Sequence, residues 1–194
     1  MDMALKKDIN YIVSGLERSG TSMLMQILKA GGLPVAFDDS RKPDVNNPKG
    51  YYELEGGKII NRLMEKSFPF ERYKGQFIKI TAYGIRFLPE GKYKIIYSER
   101  NIEEILDSME KMAQITDENR DETKELFIKL NNMVKRRIIN REDISCLFVS
   151  YNKILENPRK NIEEIHRYLS LPNEKLEKMI NVVDKRLYRQ RRKS

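Results

Sequence analysis

Within eight positions, Gly15 to Ser22 (GLERSGTS), the chain gathers two glycines, three hydroxyls and one arginine. A short apolar run, Tyr11–Val13, leads into them, and a helical pattern starts at Thr21. A turn at a helix N-terminus points unpaired backbone N–H groups outward, and the helix dipole adds positive potential there. Gly15 and Gly20 allow the backbone to turn tightly beside an anion. Ser19, Thr21 and Ser22 add hydroxyl donors, and Arg18 adds a full charge. Such a loop can grip a phosphate and neutralise charge on a leaving phosphate without a metal. The plainer alternative is a strand–helix connection with a Ser/Thr cap. The ATP-binding pattern GxxxxGK(S/T) is nearly matched, but Thr21 stands at the lysine position. No clear strand ending in Asp supplies a magnesium ligand either.

The elements that must position this loop can be read from periodicity. Asn10–Ser14, Phe77–Thr81, Tyr93–Ser98 and Cys146–Tyr151 are short apolar runs bounded by turn residues, as strands buried on both faces are. Helical spacing follows at Thr21–Ala30, Asn101–Ala113, Asp117–Ile139, Pro158–Leu169 and Asn173–Val183. Strands alternating with helices predict an α/β fold with a parallel sheet. Residues 32–75 hold Pro34, Pro43, Pro48 and Pro69 and predict long loops around one helix near Gly57–Lys66. Long loops in a compact domain are often functional. Lys79 falls inside a buried strand, which is costly unless its ammonium reaches an anion.

Composition sets the outer bounds. A chain of 194 residues with 40% hydrophobic and 34% charged residues fits a single globular domain over 1–194. There is no apolar run of membrane-spanning length and no Cys/His cluster for zinc, so no metal site is expected. The single Cys146 makes no internal disulfide, and a cytoplasmic location is the default expectation. The net charge of +8 favours an anionic partner. Residues 185–194 (KRLYRQRRKS) concentrate six cations with no acid. That tail reads as a basic patch for nucleic acid or a surface, or as a free end.

At this point the residues resemble a family. GLERSGTSML is similar to the 5′-phosphosulfate loop of the sulfotransferases, which use 3′-phosphoadenosine 5′-phosphosulfate. Many bacterial members carry Pro-Arg-Ser-Gly-Thr-Ser here; this chain has Glu17 at the proline. Tyr97–Met112 (YSERNIEEILDSMEKM) resembles the family's 3′-phosphate motif, an Arg ending a strand and a Ser eight residues later, here Arg100 and Ser108. About two turns into the following helix, Ser108 could face the same phosphate as Arg100. Asn47–Glu53 (NPKGYYE), Phe77–Pro89 (FIKITAYGIRFLP) and Phe148–Pro158 (FVSYNKILENP) are similar to further family segments in the right order. Together the resemblance spans roughly residues 9–192.

The resemblance implies a three-layer α/β/α fold with a central parallel sheet, like that of P-loop nucleoside triphosphate hydrolases. It implies sulfonate transfer to a hydroxyl or amine of a small-molecule or carbohydrate acceptor, with no metal and with nucleic acid not the expected partner. Gly15, Arg18, Ser19, Gly20, Thr21 and Ser22 would hold the 5′ side of the donor, and Arg100 and Ser108 its 3′-phosphate. Tyr151 would lie near the nucleotide, and Arg189, Arg191 and Arg192 could fold back over the 3′-phosphate. Arg18 and Lys79 would stabilise charge during transfer. Many cytosolic members place a catalytic histidine two residues beyond the strand lysine, where this chain has Thr81. The only histidine, His166, falls in a C-terminal helical pattern and reads as structural. Glu53 is the first candidate for the base, with Glu55 behind it. Tyr51, Tyr52, Phe68 and Phe70 could line an acceptor pocket or be core. Two rivals stand beside this reading: a small-molecule P-loop kinase and a non-catalytic nucleotide- or nucleic-acid-binding module.

Overall fold

The structure, a computed structural model, describes residues 5–184 and Arg186. Arg189, Arg191 and Arg192 lie outside the described residues, as does most of the basic tail. Four apolar runs form one parallel sheet: β1 Asn10–Gly15, β2 Phe77–Lys79, β3 Tyr93–Glu99 and β4 Ile144–Ser150, in the order β2-β1-β3-β4. Side chains alternate between two cores, as a strand's period of two requires. Tyr11 and Val13 of β1 enter one core and Ile12 enters the other; Ile96 and Ile95 of β3 divide the same way.

Each core is closed by helices. On one face pack α1 Thr21–Ala30, α8 Pro158–Leu169 and α9 Leu176–Asn181, through Leu24, Ile27, Leu28, Ile162, Ile165 and Met179. On the other lie α2 Ile59–Met64, α4 Ala82–Ile85, α5 Ile102–Ala113 and α6 Arg120–Ile139, through Leu63, Ile85, Ile105, Val134 and Ile138. Two short helices, α3 Phe70–Tyr73 and α7 Tyr151–Glu156, complete the connections. This is the expected three-layer α/β/α architecture. The chain leaves β1 toward β2 on one side and then crosses to β3 on the other. Parallel sheets bind ligands at the carboxyl ends of strands where the order reverses in this way. Here those ends are Gly15, Lys79 and Glu99, and the register sets Lys79 beside Val13 and Ser98 beside Gly15.

Several boundaries differ from the sequence expectation, each for a local reason. Tyr151 does not end a strand; it opens α7, because the Ser150 hydroxyl accepts the Lys153 N–H at 3.3 Å and caps a helix there. Ile80 and Thr81 leave β2, and Thr81 precedes α4 with extended backbone. The helix expected from Gly57 starts two residues later, at Ile59, since Gly56 and Gly57 take φ of 62° and 86°. The Asp117 carboxylate accepts the Asn119 N–H at 2.9 Å, a local turn that holds 117–119 outside α6. The helix expected over Asn173–Val183 is divided into a 3₁₀ turn, Asn173–Lys175, and α9.

Candidate active site

The chain runs from β1 through Leu16–Gly20 into α1. Its glycines are required by space as well as by dihedral angle. Gly20 takes φ 103° and its Cα faces the Tyr151 ring, into which any Cβ would run. A Cβ on Gly15 would meet the Ser19 hydroxyl and lie 2.6 Å from the Ser98 carbonyl oxygen. The loop is pinned from below: Ser98 Oγ donates to the Ser19 carbonyl at 2.7 Å. Arg18, at φ 64°, occupies the left-handed region that side chains rarely adopt. No side chain caps α1, and its first bond runs from Leu24 N–H to the Gly20 carbonyl at 3.2 Å. The N–H groups of its opening turn therefore face outward, as an anion site needs.

They face a cavity of about 340 Å³, whose wall also includes Gly15, Arg18, Ser22, Glu53, Lys79, Arg100, Ser108 and Tyr151. Most of the residues singled out in the sequence thus come together. Ser19 is the exception: its side chain lies behind the loop, and its buried hydroxyl has no partner among the described residues.

One side of the cavity is built around Arg100. Its Nε donates to Glu104 Oε2 at 3.0 Å, one terminal nitrogen donates to the Arg18 carbonyl at 3.0 Å, and the guanidinium lies 4.6 Å from the Tyr151 ring centroid. The Arg18 side chain turns to the same corner, with Nε donating to Ser108 Oγ at 2.9 Å. Arg18, Arg100 and Ser108 are therefore one cluster, and the Arg18 guanidinium stands with the pair expected at the 3′-phosphate.

The other side is built around Lys79, whose side chain is only 6% exposed. Its ammonium pairs with Glu53 Oε1 at 2.8 Å and donates to the Tyr51 carbonyl and, at 3.3 Å, to Ser22 Oγ. Burial pushes the Lys79 pKa below the ordinary lysine value, and the Glu53 carboxylate works against that shift. Glu53 is shared: its Oε2 accepts from Arg41 at 3.1 Å, and the Arg41 guanidinium carbon lies over the Tyr51 ring, 3.5 Å from its centroid. The Tyr51 hydroxyl in turn donates to Asp44 at 2.7 Å.

Other candidates separate cleanly. Glu55 pairs with Arg62 at 2.7 Å and is not part of the cavity wall. His166 is buried, with Nε2 2.9 Å from the Pro172 carbonyl, in keeping with its structural reading. Of the four aromatics, Tyr51 lines the cavity, while Tyr52, Phe68 and Phe70 pack in or against the cores. Sequence reasoning missed Arg41, Lys111 and Asp184 in the wall and Glu104 behind it. Arg41 sits in a loop with no periodicity, whereas the Arg100–Glu104 spacing of four was a readable signal. Among the described residues there is no group of three or more His, Cys, Asp or Glu placed to hold a metal. No helix among them is long and apolar enough to cross a membrane.

A four-stranded parallel sheet with helices on both faces and a glycine-bearing loop between β1 and α1 defines a protein of the P-loop nucleoside triphosphate hydrolase-like fold. The family model described as "Sulfotransferase domain" matches residues 8–193, and the chain belongs to that family of enzymes. It is similar in structure to a mouse sulfotransferase complexed with PAP, at 14% identity and TM-score 0.55, covering 94% of this chain and 67% of that one. It is also similar to a sulfotransferase from Mycobacterium tuberculosis, at 14% identity and TM-score 0.52, covering 92% of this chain and 71% of that one. A third likeness is to retinol dehydratase in a complex with retinol and PAP, at 16% identity and TM-score 0.51, covering 94% of this chain and 66% of that one. The chain thus spans about two thirds of the length of these structures. No curated protein matches the sequence.

Proposed function

We propose that this chain transfers a sulfonate group from 3′-phosphoadenosine 5′-phosphosulfate to a hydroxyl or amine of a small, polar acceptor. The observation that carries the reading is the convergence of two cationic corners on one cavity: Lys79 beside the uncapped start of α1, and Arg100 with Arg18 and Ser108. A donor with anionic groups at both its 5′ and 3′ ends fits such a pair. The residues fit it in other respects too. Gly15 and Gly20 leave cradles that a Cβ would fill, and Lys79 is a buried cation at the strand end.

When bound, this donor supplies the sulfonate and departs as 3′,5′-adenosine bisphosphate. The N–H groups at the start of α1, with Thr21 and Ser22, would hold its 5′ side. Arg100 and Ser108 would hold its 3′-phosphate, and Tyr151 offers a ring face beside them. Lys79, with the N–H groups at the start of α1, would stabilise negative charge that grows as the group moves, which is where fixed cations act most strongly. The Arg18 side chain, bonded to Ser108, would serve the 3′-phosphate corner instead of the transfer role the resemblance implies. Glu53, on the cavity wall against Lys79, would take the acceptor's proton. Both its oxygens now accept from cations, so it must exchange one contact when an acceptor enters. The cavity wall also carries Arg41, beside Glu53, and Asn46, Asn47 and Thr81, which supports an acceptor rich in hydrogen-bonding groups, a carbohydrate among them. We place the activity in the cytoplasm, where the unpaired Cys146 stays reduced.

Calorimetry tests the 3′-phosphate assignment. A charge-assisted hydrogen bond is worth roughly 1.5–3 kcal/mol, so 3′,5′-adenosine bisphosphate should bind about tenfold or more tightly than 5′-AMP. Equal affinities would remove Arg100 and Ser108 from the donor site.

A further inference from the structure

We infer that Glu104 is a positioning residue for donor recognition: it sets the Arg100 guanidinium and, through it, the Arg18–Ser108 corner proposed to meet the 3′-phosphate. The inference rests on the donor reading above and adds a residue that contacts no donor atom itself.

Glu104 is 1% exposed, in the first turn of α5. Burying a carboxylate is costly unless it is paired and hydrogen-bonded. Here it is both. Oε2 accepts from Arg100 Nε at 3.0 Å, and the Asn152 amide donates to Oε1 at 3.2 Å and Oε2 at 3.1 Å. Asn152 lies in α7, so the carboxylate ties two helices to the end of β3.

The geometry of the Arg100 contact matters more than its charge. Glu104 accepts from Arg100 Nε, which fixes the rotation of the guanidinium plane and lets the terminal nitrogen on the far edge point toward the loop. That nitrogen donates to the Arg18 carbonyl at 3.0 Å, while the Tyr151 ring flanks the plane at 4.6 Å. Arg18 holds φ 64°, a conformation that persists only where the surroundings enforce it. The Arg18 side chain then returns to α5 through Ser108, one helical turn beyond Glu104. Glu104, Arg100, Arg18 and Ser108 thus form a closed ring that joins the loop to α5. A donor phosphate meeting Arg100 or Ser108 meets groups already aligned, so little ordering remains to oppose binding.

Electrostatics supplies a test of sign. A carboxylate beside an anion site repels the anion, so a Glu104 that acted only through its charge would weaken binding. Its replacement by glutamine would then tighten the complex. A positioning role demands the opposite. In Glu104→Gln, the dissociation constant for 3′,5′-adenosine bisphosphate should rise about tenfold and that for 5′-AMP change less than about threefold, so that discrimination nearly vanishes. In an Arg100→Ala background, the same Gln substitution should change bisphosphate affinity by less than about twofold, because its route is gone. Circular dichroism and thermal unfolding establish that each variant is folded. Should Glu104→Gln fail to fold, Asn152→Ala, which frees the same carboxylate from its other side, should shift discrimination in the same direction by about threefold. Unchanged or tighter bisphosphate binding in the Gln variant overturns the inference. So does an undiminished loss in the Arg100→Ala background, which would show Glu104 acting on the fold alone. If the unaltered protein does not prefer the bisphosphate at all, the donor reading fails instead, and the two failures are distinct.

Discussion

Replacing Lys79 with methionine should lower turnover on the order of a hundredfold to a thousandfold, the usual effect of removing one fixed donor from a site of developing charge. Affinity for 3′,5′-adenosine bisphosphate should fall far less than turnover, because Lys79 is proposed to act most strongly on charge that develops only during transfer. All three ammonium protons are engaged, by Glu53, by the Tyr51 carbonyl and by Ser22. The longest contact, 3.3 Å to Ser22, is the one an anion can most readily displace. Methionine keeps much of the length and the apolar stem, so the end of β2 can stay packed, and Arg41 continues to pair with Glu53. Turnover is read as bisphosphate released from the donor, resolved by chromatography, with an acceptor or with water. A loss of product affinity with turnover unchanged would make Lys79 a binding residue only.

Glu53→Gln should reduce turnover on the order of a hundredfold or more, with donor binding retained, since glutamine keeps the shape but cannot take a proton. The same variant should change the pH profile. Burial lowers the Lys79 pKa and the Glu53 carboxylate raises it. Without the carboxylate, burial prevails further, so Lys79 loses its proton at a lower pH. The residual activity of the Gln variant should therefore decline with rising pH earlier than that of the unaltered enzyme. A hundredfold loss without that displacement makes Glu53 a base that does not govern Lys79. Normal turnover places the base elsewhere, and Glu55, paired with Arg62 outside the cavity wall, is a poor successor. Collapse of donor binding would mean that Glu53 chiefly ties Lys79 to Arg41 and so holds the loop.

The parts of the site that lie within one strand–loop–helix unit were legible in the sequence. Gly20 and Gly31 bracket α1, Pro158 opens α8, and Ser170 closes it at φ 54°, so these two helices have the bounds their patterns predict. Arg100 and Ser108 were legible through their resemblance to a family motif, with which the spacing along one helix agrees. What escaped depends on partners distant in the chain. A serine at 150 can end a strand or cap a helix, so the start of α7 at Tyr151 was ambiguous, and the Asn152–Glu104 bond spans 48 positions. Glu53 reaches Lys79, and Arg41 reaches Glu53, from a proline-rich loop that follows no period. Ser19 looked like a ligand-facing hydroxyl because sequence spacing cannot show that its side chain turns behind the loop. That the Arg18 side chain pairs with Ser108, rather than standing beside Lys79, likewise depends on a contact across 90 positions.

The central claim, that the loop and its two cationic corners hold a 3′-phosphorylated sulfonate donor, is tested most directly by calorimetric titration of the unaltered protein. The competing ligands are 3′,5′-adenosine bisphosphate and ATP, each with and without magnesium. Thr21 at the position of the kinase-type lysine, and Arg100 with Ser108 on the same cavity, predict that the bisphosphate binds about tenfold or more tightly than ATP. Magnesium should make no difference to that affinity. Tighter, magnesium-dependent binding of ATP would contradict the account and return the chain to phosphoryl transfer.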